Sequence, residues 1–136
     1  MRSKIVTILG QDYQMAMTTE AMFRVMEELN MEHPTEIGEK IIKDYSRKGL
    51  EDLCKIAKIF CEEAKALMVY RGYDREDQST IEEQRLSEQL RRMPLGELVA
   101  VKNSLIEVVN EGFKREVADE EVDEGLLELA KKEEAQ

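Results

Sequence analysis

The chain has 136 residues, the usual size of one domain, and 20 basic against 30 acidic residues leave a net charge of −10, so one core is expected and two are not. A field of that sign repels phosphate backbones and anionic lipid, which argues against nucleic acid or a membrane surface as partner. No apolar run nears the ~20 residues that span a bilayer, and Met1-Arg2-Ser3-Lys4-Ile5 lacks the apolar stretch of a signal peptide, so a cytoplasmic protein is expected.

Residues 4–9 are apolar and β-branched, Gly10-Gln11-Asp12 is turn-like, and Tyr13, Met15 and Met17 place large apolar groups at every second position. This pattern predicts a β-hairpin with one face on the core. Thr18-Thr19-Glu20 offers a hydroxyl cap and an acidic first turn, and Met22, Val25, Met26 and Leu29 follow at helical spacing, so a first short helix should end near Asn30. His33-Pro34 breaks the chain. Thr35 is the expected cap of a second helix with Ile37, Ile41 and Tyr45 on one stripe and Gly49 as its stop.

The strongest periodicity spans residues 50–71, where Leu50, Leu53, Cys54, Ala57, Phe60, Cys61, Ala64, Leu67 and Met68 recur at steps of three and four, ending at Gly72. Ser79-Thr80-Ile81-Glu82 has the spacing of a capping box, in which the two end side chains satisfy each other's backbone donors. It opens a helix carrying Ile81, Leu86, Leu90 and Met93. Pro94 then marks a break or the first turn of a last helix over residues 95–117, with Leu98, Val101, Leu105, Val109 and Phe113 as its stripe. Residues 117–136 hold eight acids against two lysines, so six of the ten net negative charges lie there. The expected fold is mainly α: a small helical bundle with an N-terminal β-hairpin (residues 1–117) and an acidic, loosely attached appendage (residues 118–136) in which Leu126, Leu127 and Leu129 form at most a short helix.

Sites of chemistry are scarce. Cys54 and Cys61 are seven residues apart on one helix face, about 10.5 Å along the axis, too far to bridge. His33 is the one histidine, so triads and most general-base schemes lack a member and a soft metal site lacks ligands. Residues 74–85 superficially resemble a calcium loop, but Ser79 stands where the turn needs Gly and Arg85 where a bidentate Glu is required. No catalytic residue, cofactor or metal is therefore expected. Met15, Met17, Met22 and Met26 cluster along the hairpin and first helix; methionine at such spacing serves either as core filler or as an adaptable partner-binding surface.

The hairpin Lys4-Ile5-Val6-Thr7-Ile8-Leu9-Gly10-Gln11-Asp12-Tyr13-Gln14-Met15, the Thr18-Thr19-Glu20 start of a short helix, its Glu27-Glu28-Leu29-Asn30 end and the Gly49-Leu50-Glu51-Asp52-Leu53 helix start together resemble the tail assembly chaperones of long-tailed bacteriophages and prophages. The resemblance spans about residues 4–115 and includes no catalytic signature. It implies a protein that binds the long helical tape-measure protein, assists tail-tube subunits in assembling around it, and leaves before the virion is complete. The residues alone fit two other roles, a structural head-tail connector or a stand-alone acidic helical adaptor or regulator, and they leave self-association open.

Overall fold

A computed structural model describes residues 3–72 and 80–114. The protein is mainly helical with an N-terminal hairpin. Strands β1 (Lys4–Ile8) and β2 (Gln11–Met15) pair antiparallel, with Lys4 opposite Met15 and Ile8 opposite Gln11. The loop is therefore the two residues Leu9 and Gly10, at φ of 51° and 81°, and not the expected Gly10-Gln11-Asp12. Two positive φ values match the loop twist to the strand twist. Glycine takes one without penalty, while Leu9 is held there by packing against the core. Gln11 and Asp12 thereby become strand residues, and the Thr7 hydroxyl donates to the Asp12 carboxylate across the ladder.

Val6, Ile8 and Met15 turn inward, and Ala16 N–H donates to Phe60 O at 3.1 Å, tying the hairpin's exit to the centre of the molecule. Helix α1 (Thr19–Glu28) starts as expected, with Thr18 Oγ1 accepting from Ala21 N–H at 3.1 Å. It closes with Asn30 at φ 53° and Met31 N–H on Met26 O, a Schellman-type end. Helix α2 (Thr35–Lys43) differs from expectation at both ends. Thr35 is its first residue rather than its cap; the Glu36 carboxylate instead accepts the N–H groups of Glu32 and His33, at 2.7 and 2.9 Å.

Gly49 does not stop α2. It lies buried in the first turn of α3 (Arg47–Tyr70), whose cap is Ser46, with Oγ accepting from Gly49 N–H at 2.9 Å. A β-carbon at Gly49 would collide with the Asp44 side chain and come 2.8 Å from its carbonyl oxygen, so glycine permits the tight α2–α3 corner. The α3 helix is central: β2, α1, α2 and α4 (Glu83–Arg91) all pack on it, while α5 (Leu95–Gly112) packs on α2 and β1. The expected capping box at Ser79 and Glu82 does not frame α4. Glu82 is the residue before the helix and caps nothing with its side chain, because Ile81 anchors an extended lead-in; Ser79 lies outside the described residues.

The expected last helix to residue 117 ends at Gly112 within the described chain. There α5 abuts the strand-to-helix junction so closely that a β-carbon on Gly112 would lie 2.6 Å from Met17 O. Met93 and Phe113, read as stripe members, are largely exposed. The acidic segment 118–136 lies outside the described residues. Among those described, no helix is long and apolar enough to cross a membrane.

The α2–α3 corner also carries a charge network. Asp44 accepts from Lys40 Nζ at 2.8 Å, from Ser46 N–H at 3.0 Å and from the Ser46 hydroxyl, and Lys40 and Lys48 both pair with buried Asp52. The Lys40 bond, then those from Ser46, hold the Asp44 carboxyl well below the usual carboxylate range. The folded state thus binds fewer protons than the unfolded chain in that range. This stability is complete above about pH 5, begins to fall as pH drops below about 4, and goes on falling toward the depressed value of the folded carboxyl. Thermal melts from pH 7 to 3 should show the loss, with a shallower acid fall in Asp44→Asn; a parallel fall in both proteins would contradict the assignment.

Candidate partner-binding surface

Helix α1 is fixed in rotation by two features. Ala21 and Val25 are buried beneath it, and Arg24 reaches sideways to α3, with Nη1 on Glu63 at 2.8 Å and Nη2 on Glu62 at 2.7 Å. At 100° per residue the flank away from Arg24 then carries Met22 and Met26, and Phe23 lies between that flank and exposed Glu20 and Glu27. The structure divides the four methionines. Met15 and Met17 are sealed in the core and present nothing to a partner, which corrects their reading as surface; Met15 ends a strand that packs on α3, and Met17 is closed over by Gly112 of α5. Met22 and Met26 rest on the core but keep part of their surface in solvent.

The residue missed by sequence reasoning is Phe23, which is 50% exposed. Its signal was available: an aromatic one residue off the apolar stripe, on a turn otherwise held by Glu20 and Glu27, has no core to enter. Phe113 is exposed as well, at the end of α5 that abuts Met17, and so at the same end of the molecule as the start of α1. Contiguous apolar groups left in water mark interaction sites, whereas scattered single ones are ordinary, and Phe23 adjoins the partly exposed Met22 and Met26.

Cys54 and Cys61 are buried, and burial pushes both thiols up to about 12. Neither should react with a thiol reagent at pH 8 until the protein unfolds. Rapid labelling of the native protein would contradict their placement. A groove of about 420 Å³ between α3 and α4 is lined by Glu51, Glu83 and Glu88 against Lys55 and Arg91, with Gln84 and the buried Ser87 between them. No cluster of three or more potential metal ligands occurs among the described residues, and His33 is exposed. Residues 74–79, half of the calcium-like segment, lie outside them. No family model matches the chain, and neither a curated protein nor a solved structure matches it.

Proposed function

We propose that the protein is a non-enzymatic tail assembly chaperone of a long-tailed bacteriophage or prophage, acting in the host cytoplasm on the tape-measure protein while tail-tube subunits assemble. The observation that carries this reading is the half-exposed Phe23 beside the partly exposed Met22 and Met26, a helix face with apolar area beyond what its own core uses. A long amphipathic helix exposing apolar residues aggregates when alone. A cover with unbranched, polarisable methionines accepts varied sequence along such a helix, and a net charge of −10 keeps covered complexes apart. The resemblance of the hairpin and first helices to that family supplies the identity of the partner; the exposed face supplies the means.

The test is co-expression with the very long helical reading frame expected beside this gene, reading the partner's soluble fraction with and without the protein. A clear gain is expected, and no gain sinks the proposal. Purified particles should lack the protein; stoichiometric presence there would favour a structural connector instead.

A further inference from the structure

The α2–α3 corner carries a second exposed surface of different character. Residues 40–48 hold Lys40, Lys43, Arg47 and Lys48 against the single acid Asp44. Lys40 and Lys48 are taken up by Asp44 and Asp52, but Lys43 and Arg47 are exposed and meet no carboxylate among the described residues. Between them stand Ile42 and Tyr45, 54% and 56% exposed. The Tyr45 ring is held from beneath by Lys102, whose Nζ lies 3.8 Å from the ring centroid, leaving its other face open. On α5, exposed Leu95 and half-buried Leu98 and Val99 precede Lys102 by seven, four and three residues and so share its side of the helix. The Lys102 contact thus sets this side of α5 against the exposed Tyr45 ring, with the exposed cations Lys43 and Arg47 on the same corner.

The chain itself contains the complementary sequence. The described residues carry 18 acids against 15 bases, whereas residues 115–136 carry nine acids against three bases, with Val122, Leu126, Leu127 and Leu129 set among Asp119, Glu120, Glu121, Asp123, Glu124 and Glu128. The reach is sufficient: Lys102 lies ten residues, about 15 Å, back along α5 from Gly112. The twelve residues from Lys114 to Leu126 span up to about 40 Å.

We propose that residues 119–130 dock in cis on the Ile42–Tyr45 corner, with leucines on the Ile42, Tyr45 and Leu95 strip and acids facing Lys43 and Arg47. Such docking shields the apolar strip from other molecules and is opposed by salt. It involves a different face from the Met22–Phe23–Met26 surface, so it stands or falls independently of the tape-measure reading.

The full chain offers a direct test. Both native thiols are buried, so Ala130→Cys can be spin-labelled alone and paramagnetic broadening read across the amide spectrum, which also reports retention of the fold. Intensity should be lost selectively at Ile42, Lys43, Tyr45 and Arg47. It should recover in about 1 M salt, where the screening length falls to about 3 Å, and in Lys43→Glu with Arg47→Glu. Uniform weak broadening, or broadening centred on another face, would overturn the proposal. A mixture of isotope-labelled unmodified chain with spin-labelled unlabelled chain must show none of it; the same pattern there would mean docking on a second copy and would also overturn the cis arrangement.

Discussion

Phe60→Ala is expected to lower unfolding stability by about 3–5 kcal/mol, the range for removing a large aromatic from a packed core. Phe60 is fully buried on α3, the helix against which β2, α1, α2 and α4 all pack, and its carbonyl also accepts the Ala16 N–H. A cavity here is bordered by several elements at once, so no single neighbour can collapse to fill it. Chemical denaturation followed by circular dichroism measures the loss. A midpoint unchanged from the native protein would place α3 away from the centre and overturn the architecture.

Lys102→Met is expected to lower stability by about 2 kcal/mol, for a reason no hydrophobic pattern contains. Lys102 is only 4% exposed, and its Nζ donates to Ile41 O and Asp44 O at 2.8 Å each, satisfying carbonyls that the end of α2 leaves without helical partners. Burial pulls its pKa below the ordinary lysine value. Methionine preserves most of the volume but makes neither bond. Each bond to a charged donor contributes roughly 1.5–3 kcal/mol, and relief of the lysine's desolvation offsets part of the sum. A methionine variant as stable as the native protein would show that packing alone holds α2 on α5.

These two residues mark where the sequence is and is not informative. The α3 stripe is legible because nine apolar residues at steps of three and four leave one geometry for a long helix, and Phe60 falls at its middle. The Thr18 cap and the hairpin strands were legible for similar local reasons. Lys102 was not, since its partners are 58 and 61 residues distant and a lysine within an α5 pattern reads as solvent-facing. Gly49 misleads in the opposite direction: in sequence it resembles a helix stop, whereas its use is close approach to Asp44, visible only in three dimensions. Tyr45 fits the α2 stripe by spacing, but α2 ends at Lys43 and the ring leaves the core. For the candidate surface, spacing brought the four methionines to attention without sorting them. Met15 and Met17 differ from Met22 and Met26 by depth of burial, which tertiary packing sets, and Phe23 was passed over because it lies off the stripe.

The most direct measurement is the soluble fraction of the co-expressed tape-measure candidate with native protein and with the double variant Phe23→Asp, Met26→Asp. Both positions are partly in solvent, so the variant is expected to melt cooperatively, and this is verified first. Native protein should raise the soluble fraction and the folded variant should lose most of that gain, because two carboxylates in the contact are desolvated without partners when an apolar helix docks. A folded variant that keeps the partner soluble as well as the native protein does would contradict the assignment of α1 as the surface that holds it.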